Sequence, residues 1–258
     1  MGKRTSHAPG TFSWVDLGTT DVAAAKAFYG GLFGWELEDV PAGATGTYTM
    51  ARVAGAAVCG MYERSADRGP PAWLSYITVA STVQTAVRAG ELGGTIVAPT
   101  LDVFDAGRMA LLADPAGAVF AIWEPLGSIG AELVNNAGAL CLNQLNTNDP
   151  EAARSYYSEL FGWTVEHNRA GAGAGDYWRL YNDGTLNGAV MRLPADAHAP
   201  PHWLAYFTVS DLDGSVREIT KLGGGVFVDP MTIESGRIAV ARDADGAVFA
   251  LFEGEVDP

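Results

Sequence analysis

An acid stands alone in an apolar strand near the start of this chain: Asp16, in the run WVDL. Burying a carboxylate is unfavourable unless it is paired or functional. Two readings follow. Asp16 forms a salt bridge with Arg108 or Arg52, or it lies desolvated in a cleft, where its pKa rises and it can act as a general base. The other chemistry-bearing residues are sparse. The four histidines (His7, His167, His198, His202) converge too little for a facial triad or a tetrahedral zinc site. Cys59 and Cys141 are too few, and too irregularly placed, for a disulfide framework, and read as buried reduced thiols. Arg108 and Arg237 each follow a glycine in equivalent stretches and read as partners for acids rather than anion anchors. His202, between a diproline and Trp203, reads as a surface histidine. GAGAG at residues 171–175 reads as a flexible loop, because it opens no helix that could cradle a phosphate. No dinucleotide fingerprint, P-loop or nucleophile elbow is present.

What must position these residues is a duplicated framework. Residues 21–35, DVAAAKAFYGGLFGW, return at 149–163 as DPEAARSYYSELFGW. PPAWLSYITVAS at 70–81 returns as PPHWLAYFTVS at 200–210, and GRMALLADPAGAVFAIWE at 107–124 as GRIAVARDADGAVFALFE at 236–253. So long a period indicates two fused domains rather than a solenoid. The boundaries read as 1–128 (core 12–126) and 129–258 (core 139–255), with a small-residue linker at 127–138.

Within the first half, a strand at 12–17 leads into a helix whose N-cap lies at Thr20–Asp21. Its apolar stripe of Val22, Ala25, Tyr29 and Leu32 has helical spacing, and Gly34 ends it. Strands follow from Trp35, over 48–53 and over 57–62. The pattern then restarts: strand 73–79, helix 82–92, and strands 95–98, 108–113 and 119–123, the last two joined by a turn at 114–117. Each half is thus β-α-β-β-β twice over, an α+β class.

Composition narrows the partners. Hydrophobic residues make up 48% of the 258 residues and charged residues 18%, as expected of a folded protein. The net charge of −14 argues against nucleic acid and anionic membranes. No apolar run is long enough to span a bilayer and no signal peptide is evident, so a cytoplasmic location is expected.

The βαβββ units, the helices FYGGLFGW (28–35) and YYSELFGW (156–163) and the turn before the last strand together resemble the vicinal-oxygen-chelate superfamily of glyoxalases, bleomycin-resistance proteins and dioxygenases. The resemblance covers residues 12–253. It implies a tandem pair of domains, each with two βαβββ units forming a curved sheet around a cavity for a small molecule or a divalent metal. In catalytic members, His, Gln or Glu on the first strand of a unit and Glu on the last hold the metal. The matching positions here are Trp14, Leu74, Leu142 and Leu204 for the first strands, and Ala121 and Ala250 for the last. None of these can coordinate a metal. Glu124 and Glu253 lie three residues further on, facing the opposite side, and read as edge charges.

The expectation is a metal-free and cofactor-free small-molecule site, with an antibiotic, other natural product or metabolite as ligand. Parity with Trp14 places Asp16 and Tyr76 on the cavity in the first half, and Leu142, Gln144, Asn146 and Tyr206 in the second, with Tyr48 and Tyr177 closing over them. Asp16 is the candidate catalytic group. The alternatives are a metal-dependent lyase or dioxygenase with unorthodox ligands (Glu63, Glu124, Glu253 or His202), and an interaction protein whose cavities have filled in. A monomer and a homodimer both fit a fused tandem.

Overall fold

A computed structural model describes residues 2–43, 46–168, 177–194, 197 and 199–256. His198 and the glycine-rich 171–175 stretch lie outside the described residues. The first half runs β1 (Phe12–Thr19), α1 (Val22–Phe33), β2 (Glu36–Pro41), β3 (Thr47–Val53), β4 (Ala56–Glu63), β5 (Ala72–Thr78), α2 (Thr82–Glu91), β6 (Thr95–Val103), β7 (Gly107–Ala113) and β8 (Val119–Pro125). The second repeats the order: β9 (Leu140–Thr147), α3 (Pro150–Phe161), β10 (Thr164–Asn168), β11 (Tyr177–Asn182), β12 (Thr185–Arg192), β13 (His202–Thr208), α4 (Leu212–Lys221), β14 (Gly225–Ile233), β15 (Gly236–Arg242) and β16 (Val248–Gly254). Each half forms one eight-stranded sheet, ordered β2-β3-β4-β1-β5-β8-β7-β6 and β10-β11-β12-β9-β13-β16-β15-β14. The expected α+β tandem of two βαβββ pairs is what the chain adopts. β6 runs five residues beyond the expected 95–98.

The helices start and stop where local chemistry dictates. Asp21 and Asp149 accept the backbone N–H of Ala24 and Ala152 at 2.9 and 3.0 Å, offsetting the unpaired donors of a helix start. Gly34 and Gly162 end them in the left-handed region, at φ 69° and 76°, which only glycine adopts without strain.

The recurring YxxLFGW helix packs against the opposite half. Tyr29 of α1 donates to Asp243 Oδ2 at 3.0 Å, and Tyr157 of α3 donates to Asp114 Oδ2 at 3.2 Å. The indoles of Trp73 and Trp203 donate to these same phenols, both at 3.0 Å. Trp35 Nε1 donates to Gly138 O, and Trp163 Nε1 to Gly10 O. Asp114 and Asp243 also fold the turns before β8 and β16, where Oδ1 accepts the amides of Ala118 and Ala247. Around these bonds lie two mixed cores. One joins α1, β1 and β4 to β13, β16 and α4; the other joins α2, β7 and β8 to β9, β12 and α3.

Each phenol bond is buried and its removal would strand an acid, so Tyr29→Phe should lower unfolding stability by roughly 1–3 kcal/mol. Tyr157→Phe should do the same by symmetry. Urea unfolding of each variant checks this, and a single cooperative transition for the whole chain is expected.

Candidate functional site

With the outer faces of both sheets used in packing, the inner faces carry the candidate site. In the first half, strand register sets Asp16 between Gly60 and Leu74, and Trp14 beside Tyr76, which in turn pairs with Ala121. Paired residues point to the same side of a sheet, so these side chains share the inner face. The residues expected there do meet. Tyr76 Oη donates to Asp16 Oδ2 at 2.8 Å and Tyr48 Oη donates to the same oxygen at 3.3 Å. Trp14 Nε1 donates to Tyr48 Oη at 2.9 Å. Asp16 is 4% exposed, and its Oδ1 has no hydrogen-bond partner among the described residues.

Burial pushes the Asp16 carboxyl up to about 7, against the opposing pull of the two phenol hydrogen bonds. Of the two readings of Asp16, the salt bridge does not form. Arg108 pairs with Asp102 at 2.8 Å and Glu124 at 3.4 Å, while Arg52 reaches Glu38 and Glu132. Both arginines are held at sheet margins, on strands that do not neighbour β1.

Gly60 explains the seat of Tyr48. A Cβ at position 60 would collide with the Tyr48 ring and hydroxyl. By register Gly60 is the unit-one counterpart of Ala121, so a phenol stands where the family pattern has a last-strand ligand. Position 60 was not foreseen; only the parallel β1–β4 register exposes it.

The second inner face has a different chemistry. Gln144 occupies the counterpart of Asp16, with Ala189 beside it. Tyr206 Oη donates to Gln144 Oε1 at 3.0 Å, Gln144 Nε2 to Asn146 Oδ1 at 2.8 Å, and Asn146 Nδ2 to His202 Nε2 at 3.2 Å. His202 Nδ1 then donates to Pro200 O at 2.8 Å, which makes this the neutral Nδ1–H tautomer with Nε2 as acceptor. His202 is therefore not a detached surface residue. It is half-buried and ends a one-way hydrogen-bond chain, and its parity with Leu204 and Tyr206 was the overlooked signal. Leu142 packs with Leu204, Tyr206 and Phe252, and the half-buried Tyr177 opens β11.

The linker is part of the first site. Ala131 is fully buried among Trp14, Tyr76 and Trp123, and its N–H donates to Ser13 O at 2.7 Å. His7 Nε2 bonds Ala131 O at 2.8 Å. A stretch that reads as a small-residue spacer thus covers one end of the first inner face.

The donor set does not fit a family-type metal. Trp14, Gly60, Leu74 and Ala121 in the first half, and Leu142, Ala189, Leu204 and Ala250 in the second, offer no ligand atom. Among the described residues no group of three or more His, Cys, Asp or Glu converges. Of the unorthodox ligands, His202 stands alone on the second inner face, bonded to Asn146, and the three glutamates are placed elsewhere. Glu124 Oε2 accepts the Thr82 amide at 2.9 Å, and Glu253 Oε1 the Leu212 amide at 3.4 Å. Both glutamates hold helix starts and pair with Arg108 and Arg237, so they are more than edge charges. Glu63 is exposed at the end of β4.

The raised Asp16 carboxyl makes a signed prediction. Below about pH 4, folded and unfolded states are both protonated there; between about 4 and 7 only the unfolded chain ionises, so stability falls as pH rises and levels off above 7. Burial raises Asp114 and Asp243 in the same direction. Asp16→Asn keeps the phenol acceptor, so it should flatten this slope and stabilise the protein above pH 7 by up to roughly 3–4 kcal/mol. Denaturant midpoints at acid and alkaline pH check it.

Comparison with known proteins bears on the same framework. The family model "Glyoxalase/Bleomycin resistance protein/Dioxygenase superfamily" matches residues 11–122 and 139–251. The chain is 37% identical to "Putative glyoxylase CFP32" of Mycobacterium tuberculosis, over 98% of both chains. It is 33% identical to "Anthracycline biosynthesis protein DnrV" of Streptomyces peucetius, over 96% of this chain and 95% of that one. Among solved structures, the Mn(II)-bound glyoxalase from Novosphingobium aromaticivorans superposes with a TM-score of 0.68 at 14% identity, covering all of this chain and 84% of the other. The 2,2',3-trihydroxybiphenyl 1,2-dioxygenase of Sphingomonas wittichii does so at 0.66 and 12%, covering 97% and 92%. At such identities the likeness extends to the fold alone.

Proposed function

Starting from a chain that belongs to the Glyoxalase/Bleomycin resistance protein/Dioxygenase superfamily, we propose that it binds a small, partly aromatic natural product without the family metal. The first inner face is the working site. The observation that carries this reading is the substitution of a Trp14–Tyr48–Asp16–Tyr76 cluster for a ligand set. The walls around it, Trp123, Met50, Leu74, Met109 and Leu111, are apolar, the usual make-up of a small-molecule pocket with a few oriented polar groups. The names of the anthracycline biosynthesis relatives point to the same ligand class, a flat polycyclic aromatic.

Asp16 is the group on this face that takes or gives a proton near neutral pH, because its carboxyl titrates at about 7. Tyr76 and Tyr48 hold its Oδ2, leaving Oδ1 to meet the ligand. The second face carries an amide–histidine chain in place of the acid.

Titrating chelator-treated protein with 1,8-dihydroxyanthraquinone, read by quenching of tryptophan fluorescence, tests the proposal. Saturable binding is expected, unchanged by added Zn, Mn or Fe(II), and weakened about tenfold in Gly60→Leu, which evicts Tyr48. Stoichiometric metal that survives dialysis and is needed for binding would sink the metal-free reading. Tyr76→Phe removes the shorter phenol bond and should move the Asp16 titration further up, visible as an alkaline shift in any pH-dependent binding.

A further inference from the structure

We propose that the ligand of the first-half site is an organic cation: a protonated amine on a flat apolar body, with the ammonium held by Asp16. The inference rests on reading this face as a small-molecule site and adds the charge of what it takes.

The argument starts from the direction of the hydrogen bonds. Trp14 donates to Tyr48, and both Tyr48 and Tyr76 donate to Asp16. Every donor hydrogen runs toward the carboxylate and none leads away from it. A donor-only shell stabilises the anion; a carboxylic acid would need an acceptor for its own proton. A buried anion is ordinarily balanced by a paired cation. Here the nearby cations are used elsewhere. Arg52 and Arg108 are in ion pairs with Glu38, Glu132, Asp102 and Glu124. Arg64, beyond Tyr62, donates to the carbonyls of Pro70 and Arg68. Among the groups that sense the Asp16 charge are Tyr48 on β3, Cys59 and Tyr62 on β4 and Tyr76 on β5, all neutral.

Above about pH 7, where Asp16 ionises, a cation from outside supplies the charge this cluster lacks, and the walls suit one. Trp14, Tyr48, Tyr76 and Trp123 gather on one face, and aromatic faces attract ammonium groups, most strongly where water is excluded. Asp16 Oδ1, buried and without a partner among the described residues, is the open acceptor. An anionic ligand meets repulsion here, reinforced by the overall charge of −14. A neutral aromatic can fill the apolar walls, but it gives Oδ1 no charge to pair with. The second half serves as an internal contrast: with Gln144 in place of Asp16 and Leu142 in place of Trp14, the same scaffold keeps neither the charge nor the indole.

The test uses two probes of one shape, 1-naphthylmethylamine and 1-naphthalenemethanol, titrated into the full chain by calorimetry at about pH 8, where Asp16 is ionised and an alkylammonium is still protonated. The amine should bind at least about tenfold more tightly than the alcohol. Asp16→Asn should bring the two to within about twofold by weakening the amine alone. Should that variant misfold, Tyr76→Phe, which removes one anion-stabilising donor, should shrink the preference at least about threefold. Equal affinities in the wild type, or a preference that survives Asp16→Asn, would overturn the cation assignment and leave the aromatic site standing. Binding of neither probe would overturn the site itself.

Discussion

Tyr29 reaches out of its own half to Asp243, and Tyr157 reaches back to Asp114. Each phenol is buried and accepts an indole N–H in turn, and each aspartate folds the turn that leads into a last strand. These two reciprocal bonds tie local geometry to global assembly. The turn cannot form well without its aspartate, and the aspartate is not satisfied without the other half's helix. The aromatic clusters around Phe33, Phe207 and Phe249, and around Phe120, Phe161 and Trp163, close over the bonds and keep water out. Each half thus holds buried groups that only the other half satisfies, although each carries a full eight-stranded sheet.

With the outer faces used for packing, the two halves part company on the inner faces. Asp16 faces Gln144 across the pseudo-symmetry, Gly60 faces Ala189, and Trp14 faces Leu142. The first face gathers hydrogen bonds onto a buried acid. The second passes them in one direction from Tyr206 to His202 and out to a backbone carbonyl, with no carboxylate along the chain.

Much of this was legible in the residues. The duplication, both unit patterns, the Asp caps and the Gly34 and Gly162 stops are local signals, and local signals survive folding. Strand parity brought Trp14, Asp16 and Tyr76 to one face, and Gln144, Asn146 and Tyr206 to another. What stayed hidden depends on pairing between segments distant in sequence. A carboxylate's partner cannot be read from composition, so Arg52 and Arg108 were reasonable candidates for Asp16 until sheet order placed them on other strands. Gly60 looks like any strand glycine until a tyrosine from the neighbouring strand needs its space. His202 looked exposed beside two prolines because nothing local announces Asn146 opposite it. The linker, reading as a spacer, gave no hint that Ala131 would be buried beside Trp14.

The covalent joining of the halves has one more consequence. In a symmetric pair of identical subunits, a change at the position of Asp16 would appear in both copies at once, and an acid in one site would mean an acid in the other. Here the scaffold of mutual dependence is preserved while each inner face is encoded separately, so the two sites are free to drift apart in sequence. Asp16 and Gln144 record that drift: one architecture, under one set of packing constraints, carries two independently variable inner faces.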